Sequence, residues 1–194
     1  MRQFFILCLL FITACQGAHT TRTIDMYNSS GDMVGTATFA ELPDGVEVSL
    51  ELDGLSPGFH GVNIHEIPKC EGPHFTSAGN HLNPEGKNHG LMHTEGSHLG
   101  DLPNIEVDSD GEVDVELQLD DATLLEGKNS IVQGEGSSII ITSDEDDGLT
   151  QPSGDSGTRI VCGELKAHPD EESTETPTDP TKENGEDEDE MDEL

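Results

Sequence analysis

The sequence predicts an all-β fold of eight short strands, arranged as a sandwich or barrel, and three observations carry that prediction. Turn-like clusters recur along the chain, which holds 22 Gly and 10 Pro, and they separate short apolar runs. Within those runs apolar and polar residues alternate, as in strands with one wet and one buried face. Two long stretches without periodicity, between positions 65 and 112 and between 142 and 159, interrupt the strands, and loops of that length inside a compact domain usually carry function.

The first three strands fall at 23–27, 34–39 and 46–52, joined by the turns Ser29-Ser30-Gly31-Asp32 and Pro43-Asp44-Gly45; Val46, Val48, Leu50 and Leu52 alternate cleanly with polar residues. The remaining candidates are 61–65, 112–119, 130–133, 138–142 and 159–165. A chain of 194 residues suits one such domain with flanking segments, and not two large cores.

Charge marks out the flanks. Lys and Arg total 8 against 41 Asp and Glu, a formal net charge of -33. Nucleic-acid binding is excluded as an expectation, because no basic stripe exists to neutralise phosphates; so is docking on anionic lipid through a polybasic patch. Residues 167–194 hold 13 acidic side chains and one Lys, with almost nothing apolar, and form an acidic tail expected to be disordered. It reads first as a solvating brush and second as a cation- or partner-binding segment.

The N-terminus reads as a targeting segment. Arg2 supplies a minimal positive region, residues 4–12 are an apolar run too short to span a bilayer, and Ile12-Thr13-Ala14-Cys15 follows. Small residues before a cysteine resemble the lipobox of bacterial lipoproteins. That resemblance implies a signal over 1–15, a lipid on Cys15 that tethers the protein to the outer face of a bacterial membrane, and a tether over 16–21. An ordinary secretory signal cut near Ala14 or Ala18 is the alternative. Either way the domain is expected to be extracytoplasmic, which leaves Cys70 and Cys162 as the cysteines of the mature fold. Two thiols in an oxidising compartment are expected to pair, and closing their 92-position loop is worth about 4 to 5 kcal/mol in the chain-entropy model. Two free buried thiols are the alternative.

The first long loop concentrates metal-ligand chemistry. His74, His81, His89, His93, His98 and Asp101 crowd into one stretch shaped by Gly and Pro, dense enough in imidazole and carboxylate to enclose a metal; zinc accepts tetrahedral N and O ligands. His19 and His168 stand alone and read as solvated side chains.

Ordered motifs then resemble a known family. The runs His60-Gly61-Val62-Asn63-Ile64-His65-Glu66, Ser77-Ala78-Gly79-Asn80-His81-Leu82-Asn83-Pro84, Lys87-Asn88-His89-Gly90 and His98-Leu99-Gly100-Asp101-Leu102-Pro103-Asn104 are similar to those of copper/zinc superoxide dismutases. So is Pro152-Ser153-Gly154-Asp155-Ser156-Gly157-Thr158-Arg159-Ile160-Val161-Cys162-Gly163. The resemblance covers a domain over 22–166. It implies a Greek-key barrel of eight antiparallel strands, a Cys70–Cys162 disulfide, and zinc ligands His81, His89, His98 and Asp101. It further implies Asp146 as the carboxylate behind a zinc-ligand histidine, and Arg159 as an anion-guiding residue, unless Arg159 simply pairs with loop backbone or acids.

The copper positions depart from that family. Where it places four histidines, this chain has Asn63, His65, His81 and Thr142. Cu²⁺ prefers a tetragonal field of nitrogen ligands, and a neutral amide or hydroxyl replaces imidazole poorly. His65 and His81 are expected to hold copper weakly at best, unless His74 or His93 swings in. The amide of Asn63 could instead donate a hydrogen bond to Asp146. The expected function is that of a superoxide dismutase-like zinc-binding protein with little or no dismutase activity. Two alternatives stay open. One is an active copper/zinc enzyme converting superoxide to oxygen and hydrogen peroxide, with superoxide a partner only if copper binds; the other is a surface metal scavenger or binding module.

Overall fold

Nine strands and one short 3-10 turn make up the computed structural model, which describes residues 20–168. The expected signal with Cys15, most of the tether, and the tail from 169 onward lie outside the described residues. The strands are β1 (Thr21–Asn28), β2 (Met33–Leu42), β3 (Gly45–Leu52), β4 (Gly58–His60), β5 (Val62–His65), β6 (Ile105–Val107), β7 (Val113–Asp120), β8 (Gly136–Thr142) and β9 (Arg159–Lys166).

Seven of them form one antiparallel sheet in the order β5-β8-β9-β1-β2-β3-β7. β4 pairs with β6 and runs through Gly61 into β5, while β6 lies beside β7. The short pair therefore spans the gap between the two edges of the curled sheet, giving the antiparallel barrel that the alternation and the resemblance predict. Inside it Val46, Val48 and Leu50 of β3 are fully buried together with Phe39, Ile64 and Ile139, each side chain of this size contributing about 1.5–3 kcal/mol by leaving water.

Three elements differ from the sequence expectation. The run expected at 61–65 begins at Val62 and is preceded by a separate short strand, β4 (Gly58–His60). Residues 130–133 form no strand: Ser130 makes one isolated bridge to Thr123, and the chain then turns. Ile131 is buried all the same. This run is short and bounded by turn residues, so it plugs the core as a loop side chain instead of joining a ladder. Conversely, Ile105–Val107 is a strand inside a stretch expected to be loop. Its alternation spans only three residues, too few to register as a period.

β8 is buried along its whole length, which calls for cover on both faces. Ile139 and Ile141 point into the barrel, whereas Ile140 packs outside it in a small cluster with Phe75, Ala78 and Cys162. Cys162 sits opposite Ile140 in the β8–β9 register and is disulfide-bonded to Cys70, with Cα atoms 5.7 Å apart. The disulfide thus pins the start of the long loop over the outer face of β8, and the expected pairing of these two cysteines is present. Cys162→Ser should cost about 2–5 kcal/mol, read from chemical denaturation under oxidising conditions, and should raise protease sensitivity first in the 70–80 segment.

Candidate metal centre

The centre is built on the free edge of β5. Asn63 bridges Asp101, and His65 bridges His81. Backbone bonds Leu82 N–H to Ile64 C=O (2.8 Å), Ile64 N–H to Gly100 C=O (2.8 Å) and Leu102 N–H to Val62 C=O (3.2 Å) lay two pieces of the loop along that strand. Gly100 is needed here because a Cβ would collide with the Ile64 carbonyl. The edge is covered, and two residues with metal-binding side chains, His81 and Asp101, are set at fixed positions along it.

His81, His89 and His98 turn their Nδ1 atoms toward one oxygen of Asp101. Oδ1 of Asp101 lies 2.9 Å from His81, 3.2 Å from His89 and 3.4 Å from His98. Zinc with ligands at about 2.0–2.1 Å in a tetrahedron separates its donors by about 3.3 Å, so the spacing suits that ion. The Nδ1 of His98 is buried without a hydrogen-bond partner, an orphan that a metal bond would satisfy. All four donor atoms lie within 4.8 Å of one another, and the donor set, three imidazoles and a carboxylate, fits Zn²⁺. The other oxygen of Asp101 accepts the backbone N–H groups of Gly90 (2.8 Å) and His98 (3.0 Å), which orients the carboxylate.

Electrostatics matches the geometry. Burial pushes the Asp101 carboxyl up, but hydrogen bonds from His81, His89 and the Gly90 N–H, with the His98 ring close by, outweigh it and hold the group far below the usual carboxylate range. Burial likewise disfavours a charged His89, yet Asp101 at one nitrogen and Asp146 at the other raise it to about 9. Asp146 lies 2.9 Å from Nε2 of His89 and is itself held down by that contact and by the Gly148 N–H, against the opposing effect of burial. Asp146 thus stands behind a histidine of the cluster, on the side away from Asp101.

Two residues that the sequence reading did not single out position these groups. Asn104 donates to the Asp146 carbonyl (2.8 Å) and accepts the Asp146 N–H (3.0 Å). Gln151 accepts the His89 N–H (2.8 Å) and donates to the His89 carbonyl (2.9 Å). Both clasp backbone, a role that leaves no mark in residue spacing.

The neighbouring copper positions look different. His65 donates Nδ1–H to the Gly79 carbonyl (3.0 Å), and its ring stands edge-on to His81 at 4.9 Å. Burial, the adjacent His81 and the Arg159 cation hold it down near 3, so it is a neutral imidazole. The Asn63 amide nitrogen lies 3.5 Å from both Asp101 and Asp146, long contacts shared between two carboxylates, and its oxygen is buried without a partner. Thr142 donates to backbone carbonyls of Gly61 and Asp144 (3.3 and 3.2 Å). A cleft of about 400 Å³ opens beside them, lined by His65, His81, Thr142, Ser156 and Arg159 among others. His74 is exposed and His93 bonds within its own turn to Asn88 and Glu95; neither lines this cleft. Arg159 donates to the carbonyls of Phe75 (2.7 Å) and Gly79 (2.8 Å), so it pairs with backbone of the disulfide-bearing loop and not with the acidic loop.

A curled antiparallel barrel carrying a three-histidine, one-aspartate cluster on the first of its two long loops is the architecture of a superoxide dismutase-type metalloprotein. The chain belongs to the copper/zinc superoxide dismutase family, whose model, described as "Copper/zinc superoxide dismutase (SODC)", matches residues 33–165. It is 38% identical over 160 residues to superoxide dismutase [Cu-Zn] 2 of Aquifex aeolicus, covering 81% of this chain and 94% of that one. To the superoxide dismutase-like protein YojM of Bacillus subtilis it is 43% identical over 145 residues, covering 73% and 74%. Among solved structures, a SOD-like protein from Bacillus subtilis matches with a TM-score of 0.73 at 40% identity, over 76% of this chain and 99% of that one. A copper/zinc superoxide dismutase from Brucella abortus matches with a TM-score of 0.64 at 26% identity, over 75% and 99%.

The raised His89 has a pH consequence. In the metal-free protein its contacts with the two carboxylates contribute fully below about 6.5 and fade as pH rises through about 9. Zinc must displace the proton on Nδ1, so zinc affinity should increase from pH 6.5 to pH 9 by up to about tenfold per unit for each proton released. Titration against a competing chelator at several pH values, with calorimetry in buffers of different ionisation enthalpy, measures both the slope and the protons.

Proposed function

We propose that this protein is an extracytoplasmic, zinc-structured member of its family with little or no superoxide dismutase activity, tethered to a membrane through a lipid on Cys15. The observation that carries the reading is the contrast between the two halves of the centre. Three Nδ1 atoms and a carboxylate converge at zinc spacing, with His81, His89, His98 and Asp101 as the ligands. At two of the four positions where the family places copper imidazoles stand Asn63 and Thr142, and both are turned to protein partners.

Zinc, when bound, supplies charge and fixed geometry but no redox couple. The residues of the chain do the rest. Asp146 holds the far nitrogen of His89 and so sets its tautomer; Asn104 and Gln151 hold Asp146 and His89 in place. On the copper side only His65 and His81 offer imidazole nitrogen, and His81 is committed to the zinc cluster, which leaves too few nitrogen donors for a tetragonal Cu²⁺ field. The surround also disfavours an anionic substrate: Asp144, Glu145, Asp147 and Asp155 are exposed on the adjoining loop, and a negative field slows the approach of superoxide. Relatives named as dismutases and a relative named superoxide dismutase-like are both similar to this chain, so membership of the family does not by itself decide the activity.

Loading with excess copper and zinc, dialysis and mass spectrometry should find one zinc and negligible copper per chain, with no dismutase activity above background. One copper per chain with activity would overturn the reading. Asn63→His with Thr142→His should raise copper retention toward one ion per chain.

A further inference from the structure

Three of the seven large apolar side chains exposed among the described residues, Leu91, Met92 and Leu149, are half to two-thirds exposed and belong to segments that cross. The Met92 N–H donates to the Gly148 carbonyl (3.2 Å), and the Met92 side chain lies over Gly148. Gly90 packs so closely on the backbone of Gly148 and Leu149 that a Cβ there would collide. The two long loops therefore cross at 90–92 and 148–149, and the apolar residues of both segments are exposed there. Exposed apolar side chains gathered at one crossing on a protein so rich in charge mark a candidate interaction site.

Its rim is acidic. Glu95 lies on the same turn as Met92, and Glu145 and Asp147 precede Leu149 on its loop; all three are exposed. Asp147 is held below the usual carboxylate range by the Thr150 hydroxyl and the Thr150 and Leu149 N–H groups. Lys87, which precedes this turn, is engaged by Glu85 (2.9 Å). Anionic membranes and a second copy of this chain are both repelled by such a rim, whereas cationic residues around an apolar anchor complement it.

The patch also depends on the centre. Leu91 and Met92 follow His89 and Gly90, whose backbone is held by Asp101 and Gln151, and Leu149 precedes Gln151 by two residues. We propose that Leu91, Met92 and Leu149 form a docking surface for a basic, apolar-anchored segment of a partner protein, and that the metal cluster assembles it. The proposal rests on the zinc-structured reading above and gives that structure a use.

The test takes the zinc-loaded protein at about 0.15 M salt and, as probe, an amphipathic Lys/Leu helical peptide of about 18 residues, with a Lys/Ser peptide as control. NMR shifts should concentrate at 90–93 and 148–150 and saturate with the Lys/Leu peptide alone. Leu91→Ser, Met92→Ser and Leu149→Ser together should weaken binding by at least about tenfold, with zinc content unchanged. Glu95→Lys with Glu145→Lys, which keeps the apolar residues, should also weaken it, and so should zinc removal. Shifts spread over the acidic surface and indifferent to the triple substitution would overturn the proposal, as would self-association through the patch in sedimentation. A protein that binds the peptide but holds no zinc would overturn the zinc-structured reading, while a zinc-loaded protein that ignores the peptide would overturn only the docking surface.

Discussion

A single buried carboxylate organises the functional end of the barrel. Asp101 faces three imidazole nitrogens with one oxygen and two backbone N–H groups with the other. An unpaired buried charge costs several kcal/mol, so Asp101 is stable only while positive charge stays beside it, as imidazolium or as a metal ion. Either partner draws His81, His89 and His98 inward, and each brings its own piece of loop. A stretch with almost no regular secondary structure acquires one conformation because its ends converge on one charge.

The barrel supplies the platform for that convergence. β5 is paired to β8 on one side and to loop backbone on the other, so the loop behaves locally as an added strand. Gly100 permits the close approach, and the disulfide fastens the loop's beginning to β9. The second long loop joins through Asp146 and Gln151, both of which contact His89. The two loops and the centre form one connected network, and changes at any of these contacts should be felt at the others.

The differences at the positions that the resemblance assigns to copper are local by comparison. Asn63 keeps its place on β5 between two carboxylates, but an amide has only one donating end, and its oxygen is left without a partner. Thr142 turns to the carbonyls of Gly61 and Asp144, tying β8 to the start of the second loop. His65 remains, neutral and bonded to Gly79. The barrel and the zinc-type cluster do not rely on the missing imidazoles, which is why one half of the centre can change while the other persists.

Much of this was legible in the residues. Alternation along Val46, Val48, Leu50 and Leu52 marked a strand with one buried face, because side chains on a pleated backbone repeat every second residue. The crowding of His81, His89, His98 and Asp101 marked a cluster that could hold a metal, and the ordered motifs marked the family. Position 105–107 was too short to show a period, and 130–133 looked like a strand because an apolar plug and a strand use the same side chains. The clasps of Asn104 and Gln151 join backbone atoms 42 and 62 positions away, a distance at which residue type carries no trace of a partner. Composition, periodicity and ligand chemistry are properties of the chain and determined the fold class and the donor set. Which nitrogen faces which oxygen, and that the segments of Leu91, Met92 and Leu149 cross, depend on distances between remote segments, and only the folded chain decides those.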